Sequence, residues 1–132
     1  MLPDSIQLIV VTPERQLLRE SVVEVTVPGL DGQLGIGELA YRTSASSQPV
    51  VLAVISGFAE VLGDRVTVLA ETAERAEEID LARAEEAKAR AEKRLAAGDS
   101  NIDWDRANIA LQRSVIRIQI ARKYRGVPVE SR

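Results

Sequence analysis

The hydrophobic periodicity of this sequence changes once, near residue 72, and that change limits the chain to a β part followed by a helical part. Before this point short apolar segments are typical of strands, as in Ile6–Val11, where Ile6, Leu8 and Val10 share one face. From Glu71 onward Ala, Glu, Arg and Leu dominate, without a Gly before Gly98 or a Pro before Pro128. The sequence therefore predicts an α+β protein, in which an antiparallel β-sandwich precedes an antiparallel two-helix hairpin.

Short apolar segments indicate the strands of the sandwich. A period of two repeats at Val23, Val25 and Val27. The segment Val50–Ile55 is apolar on both faces, as expected in the middle of a sandwich. Two alternating segments flank Gly63-Asp64, which predicts a tight antiparallel hairpin.

The segment Leu30–Gly37 contains three glycines and predicts tight turns that need positive φ or a close approach to the backbone. A phosphate-binding loop is the alternative, although neither a Gly-Lys-Ser/Thr sequence nor a helical pattern follows it. After it, Tyr41–Thr43 predicts the start of another strand, and Ser44–Gln48 predicts a polar turn.

Capping residues delimit the two predicted helices. Asp80 is suited to an N-cap and Gly98 to a C-terminal stop, so the first helix should cover about residues 80–97. The second should run to about Tyr124 after a cap at Ser100, Asn101 or Asp103. The apolar stripes are narrow and rich in Ala, which permits close approach but buries little area. We therefore expect a marginally stable hairpin that is free to dock, detach or extend.

Composition excludes several classes of function. The 132 residues contain no Cys and no His, which rules out a disulfide scaffold and thiol catalysis and removes the commonest neutral-pH base and metal ligand. The longest apolar run has six residues, against the roughly 20 that span a bilayer. Because the first residues have the pattern of neither a signal nor a transit peptide, we expect a cytosolic protein.

The net charge of −3 hides an asymmetry. Residues 1–78 carry five basic and twelve acidic side chains, and residues 79–132 carry twelve basic and eight acidic ones. A basic end can bind nucleic acid, but Arg at helical spacing is more often a solvated helix face. The 3% aromatic content also argues against nucleic acid.

A sandwich followed by a helical hairpin resembles the epsilon subunit of the F-type ATP synthase, and particular segments are similar to that family in order along nearly the whole chain. They are Val11–Arg15, Gly32–Ile36, Ser56–Val61, Val66–Glu74, Asp103–Ala107 and Ala110–Arg113.

The resemblance implies a non-catalytic subunit of the central stalk that couples proton transport to ATP synthesis. It implies that the sandwich, residues 1–78, contacts the gamma subunit and the c-ring, and that the hairpin, residues 79–132, restrains ATP hydrolysis when it extends toward the alpha and beta subunits. Nucleic acid is not an expected partner. The implied location is the cytoplasmic face of the bacterial inner membrane, reached only through the complex.

One motif suggests a nucleotide. The segment Ile79–Ala84 resembles the Ile/Leu-Asp-x-x-Arg-Ala pattern associated with ATP binding in some bacterial members of the family. Arg83 and Arg90 lie two helical turns apart, and Arg113 and Arg117 one turn apart, so the two pairs can converge on an anion in an antiparallel hairpin. By the resemblance, the ATP-binding set is Glu74, Ile79, Asp80, Arg83, Ala84, Arg90, Arg113 and Arg117.

The alternative is structural: Asp80 serves only as an N-cap, and Arg83 and Arg90 pair with Glu86 and its neighbours. Catalytic residues and a metal site are not expected, no cofactor is required, and ATP would be a regulatory ligand that is not hydrolysed. The extended hairpin is expected to contact the beta subunits through Arg113, Arg117, Arg122 and Lys123.

The chain departs from the family after Ile36, where about a dozen residues that form roughly a strand and a turn are absent. We expect one strand fewer and an open sheet edge, whether the shortening is natural or an alteration. A different class, an ATP-sensing or interaction module outside any rotary ATPase, is the alternative function.

Overall fold

A computed structural model describes residues 5–98 and 103–124 of the chain. Seven strands come first: β1 Ile6–Val11, β2 Gln16–Val22, β3 Glu24–Thr26, β4 Gly29–Leu30, β5 Gln33–Arg42, β6 Val50–Leu62 and β7 Arg65–Arg75. A single 3-10 turn, Ala76–Glu78, then leads into two helices, α1 Leu81–Ala97 and α2 Trp104–Tyr124. The predicted α+β class is confirmed.

The strands form one sheet in the order β2-β1-β7-β6-β5-β3, and β4 pairs with β5. All pairs are antiparallel except β1 and β7, which run parallel with Leu8 opposite Val66 and Val10 opposite Val68. The prediction of an entirely antiparallel arrangement was therefore wrong for one pair. Strand β1 lies between β2 and β7, so the strands that come first and last along the chain are neighbours in the sheet. This pairing joins the two ends of the β part.

Alternating apolar residues build the core of the sheet unit. Leu8 and Val10 of β1 and Val68 of β7 are fully buried. They belong to a cluster of large aliphatic side chains that also contains Leu39 and Leu52. Leu52, Ala53, Val54 and Ile55 are buried in succession, which confirms that β6 is apolar on both faces. The Gly63-Asp64 hairpin is confirmed as well, since Leu62 pairs with Arg65.

The glycine-rich segment is mostly a strand. Positive φ is confined to Asp31 and Gly32 in the turn between β4 and β5, and Gln33–Arg42 then runs as one ten-residue strand. Both predicted uses of glycine occur: Gly32 takes a positive φ in the turn, and Gly37 permits a close approach, since an added Cβ would lie 2.7 Å from the Pro28 side chain. Since a strand and not a helix follows the turn, the phosphate-loop alternative is removed.

The end of β5 and the turn that follows it test two further predictions. Tyr41 and Arg42 end β5, so the prediction of a new strand from Tyr41 was wrong, while the polar turn is confirmed by the bond from Ser47 N to Ser44 O at 3.2 Å. The edges of the sheet are β2 and the three-residue β3. A short edge strand offers little unpaired backbone to another chain.

The helices begin and end at the predicted residues. Asp80 caps α1 by accepting a hydrogen bond from Arg83 N at 3.1 Å, and Gly98 ends α1 in the left-handed conformation at φ 63. Asp103 caps α2 through Arg106 N, also at 3.1 Å. The chain divides between Arg75 and Ala76 into two compact units, a sheet unit and a helical unit. Neither described helix is long and apolar enough to cross a membrane.

We predict that Gly57→Ala destabilises the sheet unit by at least about 2 kcal/mol. Gly57 has φ 130 in the middle of β6, and an added Cβ would lie 1.9 Å from Leu69 O. Gly35→Ala is the matched control in the same sheet, since no atom lies within 4 Å of its added Cβ. Urea unfolding followed by methyl NMR signals of the core measures both variants, and equal stabilities would contradict the prediction.

Candidate functional site

The residues predicted to bind ATP fall in both units. Glu74 lies on β7 in the sheet unit, and the other seven lie in the helical unit. Ile79 is buried just before α1, and the exposed Asp80 holds the N-cap. Ala84 is fully buried. The cap function of Asp80 is therefore observed, and its carboxylate remains accessible to solvent.

A seam of small side chains faces inward along the hairpin. On α1 the buried residues are Ala84 and Ala91. On α2 they are Ala107, Ser114, Ile118 and Ala121, whereas Ile120, which is also buried, stands one residue before Ala121 and lies off this seam. The Ser114 hydroxyl donates to Leu111 O at 2.8 Å, so this buried polar group is satisfied within its own helix. Because most of these side chains are small, the helices can approach closely.

Arginines stand immediately before inward residues on both helices. Arg83 and Arg90 precede Ala84 and Ala91, and three arginines of α2 precede buried residues in the same way. Arg94 precedes the half-buried Leu95. We call this set the arginine edge; it comprises Arg83, Arg90, Arg94, Arg106, Arg113 and Arg117.

The handedness of the helix puts these residues on one side of the hairpin. A step of one residue turns an α-helix by about 100°. In two antiparallel helices, the residue before an inward position then lies on the same edge for both, and the residue after it lies on the opposite edge. The ion pair between Arg122 and Glu85, at 3.2 Å, follows this rule, because each of its members comes directly after a buried alanine. It marks the edge opposite the arginines.

The positions also match along the hairpin axis. Arg83 lies fourteen residues before Ala97 at the end of α1, and Arg117 lies thirteen residues after Trp104 at the start of α2. The corresponding counts are seven for Arg90 and nine for Arg113. Counted from the connected ends of the helices, Arg83 and Arg117 therefore stand at similar distances, as do Arg90 and Arg113, and we call each such pair a level.

Few internal partners neutralise this edge. In residues 5–98 and 103–124, no ion pair links Arg83 or Arg90 to Glu86, so the structural alternative loses that contact. Arg113 is half-buried, and its Nε is buried without a hydrogen-bond acceptor. Arg117 is half-buried and does interact within the fold. The site thus combines accessible cations from α1 with partly buried cations from α2.

Sequence reasoning missed Arg94 and Arg106, which occupy the same edge nearer the connection between the helices. The signal that could have found them is the Arg-before-seam pattern, and it becomes visible once the inward residues are known. Of the residues predicted to contact the beta subunits, Arg113 and Arg117 lie on the arginine edge. Arg122 lies on the opposite edge, where its side chain is only 26% exposed.

The fold and the site define a class of protein: a β-sheet unit followed by a two-helix hairpin with a cationic edge. Residues 77–122 match the family described as "ATP synthase, Delta/Epsilon chain, long alpha-helix domain". The ATP synthase epsilon chain of Syntrophobacter fumaroxidans is 42% identical, covering 91% of this chain and 98% of the relative. That of Herpetosiphon aurantiacus is 44% identical, covering 92% and 97%. The chain belongs to the ATP synthase epsilon chain family, whose members are non-catalytic subunits.

A solved structure has the same fold. A chain in the cryo-EM structure of the Euglena gracilis mitochondrial ATP synthase superposes with a TM-score of 0.73 at 22% identity, covering 86% of this chain and 79% of that one.

The alignments also bear on the length of the chain. The alignment with the Syntrophobacter relative has 133 positions, although 91% of 132 residues is only about 120 residues. The relative therefore supplies about a dozen residues that this chain lacks. The resemblance to the family puts the shortening after Ile36, and β5 continues through that position without a break.

We predict a coupling free energy of about 0.5 kcal/mol between Glu85 and Arg122 in a double-mutant cycle of Glu85→Gln and Arg122→Gln. Both groups remain partly exposed, so solvent screens the pair. Trp104 lies at the start of α2 and reports urea unfolding of the hairpin by fluorescence. The control cycle uses Glu92→Gln, which removes an exposed carboxylate that also follows a seam alanine. Equal coupling in the two cycles would contradict the specific pairing of Glu85 with Arg122.

Proposed function

We propose that this chain is the epsilon subunit of a bacterial proton-transporting ATP synthase, in the central stalk at the cytoplasmic face of the inner membrane. In this proposal residues 1–78 contact the gamma subunit and the c-ring, and residues 79–132 form the mobile regulatory element. Identity above 40% with epsilon chains over most of the chain supports the assignment. The division of the chain into two compact units between Arg75 and Ala76 supports separate roles for them.

The arginine edge is the observation that carries a role for ATP. A triphosphate accepts bidentate hydrogen bonds from guanidinium groups, and the two levels formed by Arg83 with Arg117 and Arg90 with Arg113 supply four of them. In this proposal Asp80, in the helical unit, accepts hydrogen bonds from the adenine amino group or the ribose hydroxyls. ATP acts as a ligand and is not hydrolysed.

Ligand binding would change the population of the closed hairpin. Cations aligned on one edge repel each other. An anion between them attracts each cation, so that the net electrostatic energy of the closed form becomes favourable. A ligand that binds only the closed form stabilises it by RT ln(1 + [L]/Kd), which is about 2.7 kcal/mol at a hundredfold excess over Kd. A hairpin with a seam of small side chains is closed by a modest free energy, so a shift of this size is sufficient to control it.

When the hairpin extends, its cations become available to another partner. We expect Arg113, Arg117, Arg122 and Lys123 to contact acidic surfaces of the catalytic beta subunits. Extension would separate α1 from α2, and Arg122 would then exchange Glu85 for a carboxylate of the partner. High ATP favours the closed form and relieves the restraint on hydrolysis.

The direct test is titration of the full chain with ATP. We expect saturable amide shifts along α1 and α2, and an affinity at least about tenfold weaker for Arg83→Gln because one charge-assisted contact is lost. Lys93→Gln is the matched control: it removes one exposed cation from the same helix away from the arginine edge. Equal weakening by both variants would reduce the effect to net charge, and saturation without any change in Arg83→Gln would exclude the edge as the site.

A second test places the chain in the enzyme. In a reconstituted ATP synthase, wild-type subunit should restrain ATP hydrolysis less as ATP rises, and this relief should be lost in Arg83→Gln and kept in Lys93→Gln. The measurement is the hydrolysis rate with and without the subunit across ATP concentrations. If relief in Arg83→Gln is unchanged, the nucleotide switch fails while the subunit assignment stands. Failure of the wild-type chain to assemble would remove the subunit assignment itself.

A further inference from the structure

The arginine edge continues beyond the residues that the ATP proposal uses. Arg94 lies three residues before Ala97, and Arg106 lies two residues after Trp104. By the same count from the helix ends they form a third level. Both are exposed, and within the described ranges neither takes part in an ion pair.

The edge is long for a single triphosphate. At about 1.5 Å per residue, Arg83 and Arg90 are separated by about 10 Å along α1, and Arg94 lies about 6 Å further. The side chains between the levels, Ala87 on α1 and Ala110 on α2, are small and uncharged. Neighbouring guanidinium groups can therefore reach along the arginine edge toward one extended ligand.

Glu86 lies within one turn of Arg83 and Arg90, and the described residues contain no ion pair between them; two other acidic side chains of α1 lie away from the arginine edge. Glu85 and Glu92 follow the seam alanines and so lie on the opposite edge. Asp103 stands near Arg106, but its carboxylate is engaged as the cap of α2 through Arg106 N. Arg106 itself lies in the first turn of α2, where a cation is unfavourable beside the helix N-terminus and a bound anion is favourable.

We propose that Arg94 and Arg106 form a second anion subsite that extends the ATP-phosphate site, so that the hairpin binds linear inorganic polyphosphate more tightly than a triphosphate. This inference rests on the proposed function, because the first two levels are those assigned to ATP. A linear polyphosphate carries its charges in one row and matches three successive cationic levels. Single-stranded nucleic acid is less suited, since no residue of the arginine edge is aromatic; the exposed Trp104 stands two residues before Arg106, on another side of α2.

The experiment compares inorganic triphosphate, ATP and a size-fractionated long polyphosphate by isothermal titration of the full chain. We expect polyphosphate to bind wild type at least about tenfold more tightly than triphosphate. The double variant Arg94→Gln/Arg106→Gln should lose that advantage and keep its affinity for triphosphate and ATP within about twofold. Arg94→Lys/Arg106→Lys, which preserves the charges, should retain most of the advantage and guards against a folding defect.

The matched control is Lys88→Gln/Lys93→Gln, which removes two cations of α1 that do not precede seam residues and should leave the advantage in place. Equal affinities of wild type for triphosphate and polyphosphate would overturn the subsite, as would parallel losses for both ligands in the Arg94→Gln/Arg106→Gln variant. Tighter binding of a single-stranded oligonucleotide than of polyphosphate, lost in that variant, would assign the edge to nucleic acid and overturn it too. No binding of ATP or triphosphate by wild type would instead count against the nucleotide part of the proposed function.

Discussion

The close packing of two helices along small side chains is the contact on which the candidate site depends. Ala84 and Ala91 of α1, together with Ala107 and Ser114 of α2, leave little volume between the helix backbones. The distance between packed helices follows the size of the side chains at their contact. Side chains that flank such a seam on one edge are brought toward each other from both helices, and on one of the two edges the charged residues that directly precede seam residues are arginines.

The same seam limits how firmly the hairpin is closed. An alanine buries far less apolar area than a leucine, and burial stabilises in proportion to area at about 25 cal/mol per Å². The sheet unit is different, because its cluster includes fully buried Leu8, Leu39 and Leu52. The difference in side-chain size thus gives the sheet unit a robust core and the helical unit a weakly closed one. A ligand can change the conformation of the second without threatening the first.

Much of this architecture follows from sequence patterns, and the failures have definite physical causes. The helix bounds were predictable because Asp80 and Gly98 act locally, through their own cap geometry. Strand β2 was not predicted, because Leu17 and Leu18 are buried side by side and break the alternation that marks a strand. The parallel pairing of β1 with β7 depends on contacts between distant segments, which no local pattern encodes.

The candidate site was predictable only in part: the spacing of its arginines could be read from the sequence, but the inward face of each helix could not. Arg83 and Arg90 were found from their spacing and the family motif, but spacing alone does not say which side of each helix faces the other. That information comes from the burial of Ala84 and Ala121 and from the ion pair between the residues that follow them. Once the seam is known, Arg94 and Arg106 join the four predicted arginines on one edge, and Arg122 is assigned to the other edge.

The opposition of the two edges gives the hairpin two different electrostatic functions. On one edge Glu85 and Arg122 attract each other and favour the closed form in the absence of any ligand. On the other edge, cations from both helices oppose closure until an anion neutralises them. Closure then depends on three contributions: a weak apolar seam, a screened ion pair, and the electrostatic energy of the arginine edge, which is unfavourable without an anion and favourable with one. Under the proposed function, a helical hairpin poised in this way would respond to nucleotide concentration without needing a catalytic residue.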